Sequence, residues 1–349
     1  MLHAFCGIET IELPLRSSHK KSVFEPRPAP SRKHYGKAFI MRKPLLLFPK
    51  KKDYTNNMKL TFLGTGTSHG IPVIGCDCDV CRSNDPHDKR YRSSVYIETK
   101  EKKYIQIDTG PEFRIQAIEN NIKKIDAVLM THAHADHLFG LDDLRIFSCD
   151  LGHIPEDPRS KKIVEAPPLP LYTNKSCIND ISKRFDYIFS PSKEGGGHAK
   201  ITLHEAKEAF YIGQTQIIPI PMMHGHLETT GWLLVEKNDD GEKQSIAYLT
   251  DCNYISEQSI ELIKSNCGKL KHLIIDGLRI KAHSTHFNFL QALEVSEKIG
   301  GEKIWFTHLT HNESHKTITE YLTEHKKAFP GLAKAESLLP AYDKLVLEI

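Results

Sequence analysis

The 349-residue chain contains no stretch near the ~20 apolar residues that a bilayer-spanning helix needs. It also lacks a convincing secretory signal, since the apolar run LLLF at Leu45 is too short and too late to be a signal core. Without such a signal, eight cysteines in a chain of this length do not make a disulfide framework. They fit a reducing compartment, so the expected location is cytoplasmic, with no membrane partner. No period of solenoid type recurs. Charge of one sign is scarce too, with a formal net charge of only +3. Beyond the first 57 residues there is no basic arm with interleaved aromatics of the kind that would track a nucleic-acid backbone.

The small positive excess is unevenly placed. The first 57 residues hold 12 of the 47 basic and 4 of the 44 acidic side chains, leaving the remainder at −5. This leader is proline-rich and has no helical or strand periodicity. It can be read as a disordered basic tail. It can be read as a targeting peptide, against which Glu9, Glu12 and Glu25 argue. Or it lies outside the natural protein, because MKLTFLGTG at Met58 makes a natural start; this is the favoured expectation. The expected organisation is therefore a basic extension over 1–57 and one domain over 58–349. Within that domain, strands rich in Ile, Val, Leu and Tyr alternate with helices such as Glu112–Asn120 and Phe289–Ile299. The fold class expected is α/β (α+β), a sandwich of two sheets with helices outside. Asp150 to Gly197 is expected to be long and irregular and to shape the mouth of a site.

Chemistry is concentrated in THAHADH, Thr131 to His137, which sets His132, His134, Asp136 and His137 within six positions. Imidazole and carboxylate are the nitrogen and oxygen ligands of divalent metals such as zinc and manganese. The run follows Ala127–Met130, a short apolar stretch that reads as a buried strand. His224 after IIPIPMM, Asp251 after IAYLT and His308 after IWFT repeat the arrangement. Strand ends that share a sheet edge can bring such residues together. A lone histidine after a strand is more often structural than a ligand; three such positions beside the cluster are not a lone histidine. A second group, Cys76, Cys78 and Cys81, has the spacing C-x-C-x2-C. Three close thiolates suit a closed zinc site that still needs a fourth ligand. Reduced structural cysteines and a redox pair are the other readings.

HxHxDH, followed by a His, an Asp and a last His, resembles the metallo-β-lactamase-fold hydrolases, whose architecture is an αββα sandwich of two mixed β-sheets flanked by helices. The resemblance implies two metal ions, Mn2+ or Zn2+. It implies that His132, His134 and His224 hold the first, that Asp136, His137 and His308 hold the second, and that Asp251 bridges. GTGTSHGIPVIGCDCDVC further resembles the PhnP-type phosphodiesterases, which carry an additional structural zinc. There the fourth ligand lies three residues after the last active-site histidine, which is His311 here. The same branch, like the tRNA 3′-end nucleases of this fold, places a histidine that is not a ligand 22 residues before the last metal histidine. That is His286, expected to hold phosphate and protonate the leaving oxygen; His283 and His226 are weaker candidates. Asp108 in IDTG is expected to orient a ligand imidazole, and Asp142 and Asp143 in GLDDLR to be loop or supporting groups.

The resemblance, which runs from about Met58 to His311, implies a dinuclear metal-dependent hydrolase. Its expected substrate is a small or cyclic phosphodiester, attacked by hydroxide held at the metals, with His286 as general acid and Asp136 in the catalytic centre. The alternatives are an endoribonuclease of the tRNA 3′-end type and a thioester or lactone hydrolase of the same fold. Nucleic acid is the less expected partner, and a homodimer is in keeping with the family.

Overall fold

Alternation of side chains explains the layering. In the computed structural model, which describes residues 57–148, 167–190 and 198–349, Ile246 and Tyr248 point to one face of their strand while Ala247 and Leu249 point to the other. Both faces are apolar because both are covered. The inner faces of two sheets meet through Phe62, Ile97, Leu129, Tyr248, Ile274 and Trp305. The outer face of one sheet packs on helices Glu257–Asn266, Phe289–Ile299 and His315–His325. That of the other packs on helices Phe113–Glu119 and Lys175–Arg184. This is the expected αββα order.

In chain order the strands are β1 Lys59–Gly64, β2 Ser94–Glu98, β3 Tyr104–Ile107, β4 Ala127–Leu129, β5 Leu169–Thr173, β6 Ile201–Glu205, β7 Phe210–Ile212, β8 Thr215–His224, β9 Leu227–Lys237, β10 Lys243–Leu249, β11 Lys269–Asp276, β12 Lys303–Thr307, β13 Ser337–Pro340 and β14 Val346–Glu348. Among the described residues they form two seven-stranded sheets, β14-β1-β2-β3-β4-β5-β6 and β13-β12-β11-β10-β9-β8-β7. Both are mixed. In the first, β3 to β6 pair in parallel. In the second, β10 to β13 do. Because β9 is antiparallel to both β8 and β10, strands β8, β10, β11 and β12 all run the same way. Their C-terminal ends lie at one edge.

A buried histidine makes a polar contact between the layers. His272 on β11 is buried, accepts from Trp305 Nε1 at 3.1 Å through Nδ1, and donates through Nε2 to the Glu348 carbonyl of β14 at 3.1 Å. No helix is long and apolar enough to cross a membrane among the described residues.

The leader 1–57 lies outside the described residues except for Asn57. The expectation of irregular chain from Asp150 to Gly197 needs correction for its described part. Leu169–Thr173 is a strand with a clean in–out burial alternation, and Lys175–Arg184 is a helix capped by the Asn174 side chain. The prolines of APPLPL obscured the strand, which pairs in parallel on both sides. Residues 149–166 and 191–197 are outside the described set.

Candidate metal centres

The shared edge gathers the chemistry. His132 and His134 leave β4, and Asp136 and His137 fall in the short helix Ala135–Leu138 that follows at once. His224 ends β8, Asp251 follows β10, Asp276 ends β11 and His308 follows β12. Asp108, Asp251 and His308 all take left-handed backbone, with φ of 58°, 56° and 60°. Non-glycine residues rarely do so, and such strain gathers at functional sites. Here it turns each side chain off its strand and into the common space.

Two donor groups result. The ligand-type atoms of His132, His134 and His224 lie within 4.8 Å of one another, and so do those of Asp136, His137, Asp251 and His308. Asp251 reaches toward both. Its Oδ1 is 3.2 Å from His308 Nε2 and 4.0 Å from His132 Nε2, while its Oδ2 is 3.2 Å from His137 Nε2. Asp136 Oδ2 sits 3.3 Å from His137 Nε2 and 3.8 Å from His308 Nε2.

The surroundings fix which nitrogen faces inward. His137 Nδ1 donates to Asp108 Oδ2 at 2.8 Å, and Asp108 also accepts from the Thr131 amide and hydroxyl at 2.8 Å each. His224 Nδ1 donates to the Thr285 carbonyl at 2.7 Å. In both rings Nε2 is left with its lone pair toward the site, as a metal ligand requires. Among the described residues the buried Nε2 atoms of His132, His137 and His308 have no hydrogen-bond partner. A buried polar atom without a partner is costly.

Electrostatics point the same way. Burial drives His132 well below its ordinary pKa and pushes His224 down to about 4, so both stay neutral. Burial opposes charge on His137 as well, yet Asp251, Asp136 and Asp108 together hold it well above its usual value. That corner of the site demands positive charge. Burial also works against ionisation of Asp136, but His137 and His308 outweigh it and keep the carboxyl far below the carboxylate range. Neutral imidazoles with inward lone pairs, beside ionised carboxylates in a buried pocket, fit divalent cations.

The cysteine triplet forms a separate group at the surface of the same edge. Cys76, Cys78 and Cys81 Sγ each lie 3.4 Å from His311 Nδ1. Zn–S and Zn–N bonds of about 2.3 and 2.0 Å at tetrahedral angles would place sulfur and nitrogen roughly 3.5 Å apart, so the spacing fits one zinc. The Cys81 amide aims at Cys78 Sγ at 3.4 Å and the Val73 amide at Cys81 Sγ at 3.3 Å. The Cys81 amide, against some burial, brings the Cys78 thiol down to about 6, while burial raises Cys81 to about 11. His308 and His311 thus face different groups.

His286 is buried beside the first donor group. Its ring centroid is 4.4 Å from that of His224 and 4.6 Å from that of His308. Its Nδ1 shares a proton with Asp276 Oδ2 across 2.7 Å. Burial favours the neutral pair, raising the Asp276 carboxyl and lowering the imidazole. His283 packs on His286 at 5.3 Å, and His226 is exposed. Asp142 and Asp143 stay out of both donor groups. Asp142 accepts from the Tyr187 hydroxyl and pairs with Arg145.

Asp276 was not anticipated from sequence, although LIID repeats the pattern of an apolar strand ending in a carboxylate that marked Asp251.

The beta-lactamase superfamily domain matches residues 103–309. The chain is 35% identical over 272 residues to an octanoyltransferase of Porphyromonas gingivalis, covering 77% of this chain and 49% of that one. It is 24% identical over 206 residues to ribonuclease Z of Borrelia garinii subsp. bavariensis, covering 56% and 57%. The chain therefore spans about half the length of these curated relatives. A solved diphosphatase from the PhnP family superposes with a TM-score of 0.65 at 36% identity, covering 84% of this chain and 98% of that one. With the sandwich, the donor groups at its edge and these likenesses together, the chain belongs to the metallo-β-lactamase-fold hydrolases, in their PhnP-like branch.

Proposed function

We propose that the protein is a dinuclear metal-dependent phosphodiesterase acting on a small or cyclic phosphodiester. His132, His134 and His224 hold one ion, Asp136, His137 and His308 the other, with Asp251 between them. Cys76, Cys78, Cys81 and His311 hold a structural zinc. Two divalent ions, Mn2+ or Zn2+, would supply Lewis acidity and a water of lowered pKa.

The observation that carries this reading is His286. A hydrolase acting on an activated acyl bond needs no proton donor at this position; a sugar alkoxide leaving from phosphorus does. Asp276 anchors Nδ1, so Nε2 is the atom presented to a leaving oxygen near His224 and Asp251, whose own ligand-type atoms lie within 4.8 Å of a His286 ring nitrogen. Burial of the ring excludes bulk water from that transfer. The PhnP-family neighbour is named a diphosphatase, and a phosphoric anhydride offers the same phosphorus centre. The ribonuclease relatives favour the second reading, an endoribonuclease of the tRNA 3′-end type. Thioester and lactone hydrolysis stand further off. The proposal also places the protein in the cytoplasm, on its cysteine usage, with a homodimer in keeping with the family.

The test is Mn2+-supplemented hydrolysis of bis(p-nitrophenyl) phosphate and a ribose cyclic phosphate by the full chain, beside His286→Ala and Asp136→Ala. A diphosphate, a tRNA precursor and a thioester run in parallel. Preference for the cyclic phosphodiester, lost in both variants, is expected. Turnover of the tRNA precursor or thioester alone would overturn the proposal.

A further inference from the structure

The side chain of Asn253 spans a gap between two loops that both feed the site. Its Oδ1 accepts from the Gly225 amide at 2.7 Å, and its Nδ2 donates to the Ser284 carbonyl at 3.1 Å. The orientation of the amide is unambiguous, because one partner can only donate and the other can only accept. Gly225 directly follows His224. Ser284 precedes Thr285, whose carbonyl fixes the His224 ring, and then His286. One backbone unit, Ser284–Thr285–His286, thus sets both the tilt of a metal-facing imidazole and the place of the proton donor.

The rest of Asn253's own segment is tied to the same parts. The Cys252 amide donates to Asp276 Oδ2 at 3.1 Å, the oxygen that anchors His286. The Phe287 amide donates to the Cys252 carbonyl at 3.0 Å, and the Asn253 amide to the Met223 carbonyl at 2.9 Å. Two residues earlier stands Asp251. The two loops also touch directly. Gly225 has a φ of +63°, and a Cβ there would come within 2.9 Å of Thr285 Cγ2. Backbone contacts hold Asn253 itself, and its side-chain amide is what carries that order across to Gly225 and Ser284.

We infer that Asn253 is a positioning residue, which through Gly225 and Ser284 sets the distance between His286 and the metal-facing side chains. The inference rests on the proposed role of His286 as proton donor. The Asn253 side-chain amide is committed to Gly225 and Ser284, so its loss registers where the donor's position matters. A p-nitrophenolate departs without a proton, whereas a sugar alkoxide does not. Misplacing the donor therefore slows only the second.

Asn253→Asp is nearly isosteric. It keeps the acceptor for Gly225 and loses the donor to Ser284. In the full, metal-loaded chain its kcat on a ribose cyclic phosphate should fall about tenfold, as expected for one hydrogen bond's worth of misplacement. KM, metal content and turnover of bis(p-nitrophenyl) phosphate should stay within about twofold. Asn253→Ala should show the same selectivity with a larger loss, and His286→Ala sets its upper limit. Equal losses on both substrates in Asn253→Asp, or none on either, would overturn the role of Asn253. Equal losses in His286→Ala would overturn the assignment of His286 and this inference with it. Selective loss in His286→Ala but not in Asn253→Asp would overturn Asn253 alone.

Discussion

A carboxylate with no direct place among the donors decides which nitrogen of His137 faces them. Asp108 is fully buried, and three donors converge on it: the Thr131 amide, the Thr131 hydroxyl and His137 Nδ1. Asp108→Asn exchanges one acceptor oxygen for an NH2 group and weakens the hold on that tautomer. Metal affinity should fall about 10- to 100-fold, measured by competition with a chromophoric chelator; unchanged affinity would rule out this role. A second residue-scale expectation concerns acid. His315 stacks on His87 at 4.8 Å and receives Arg90 Nη2 at 3.3 Å. Burial, then the guanidinium, pushes it down to about 4. Since a free imidazole titrates near 6.5, the unfolded chain binds the extra proton first between about 6.5 and 4. His315 thus contributes stability above that window and loses it as pH falls through it. Denaturant melts should show wild type losing stability relative to His315→Gln as pH falls from about 6.5 toward 4. Parallel curves would contradict the sign.

At the scale of elements, the segment from Cys76 to Arg90 and strand β12 share one task. Leu309, between His308 and His311, donates to the Thr65 carbonyl at 2.9 Å, and its own carbonyl accepts from Thr67 at 3.0 Å. The cysteine group therefore steadies the same short stretch that delivers His308. Cys81→Ser should lose one zinc per chain by elemental analysis. It should then lose activity even when the remaining sites are refilled with Mn2+; full activity without that zinc would uncouple the two. Core elements have more ordinary costs. Phe306 on β12 is fully buried against Phe289, with ring centroids 5.9 Å apart. Phe306→Ala should lower unfolding free energy by about 3–5 kcal/mol, read from urea melts. Elements of this kind were legible, because apolar runs such as IAYLT and IWFT are short, rich in β-branched and aromatic residues and end in polar ones. Leu169–Thr173 was not, since its prolines mimic a loop and its pairing partners lie far along the chain.

At the scale of the molecule, sheet topology turns scattered sequence positions into one edge. His132, His134, His224, Asp251 and His308 could be picked out because each follows a strand, and the order of strands within the sheets was not needed to do so. Asp276 carries the same strand-end pattern, but its hold on His286 does not show in it, and Asn253 carries no pattern at all. Their roles arise from the chain crossing between β8, β10 and β11, where proximity is created by folding and leaves no spacing behind. The edge concentrates carboxylates that require cations, so a chelator should lower the melting temperature by several degrees, and the shift should depend on free metal concentration. A midpoint indifferent to metal would argue against bound ions at this edge. The opposite property belongs to the interior. The sequence has only two tryptophans, and both Trp232 and Trp305 lie in the layer between the sheets, the latter bonded to His272. Intrinsic fluorescence of the chain is therefore a built-in optical gauge of that layer. A red shift of the emission marks water entering between the sheets, without any label being attached.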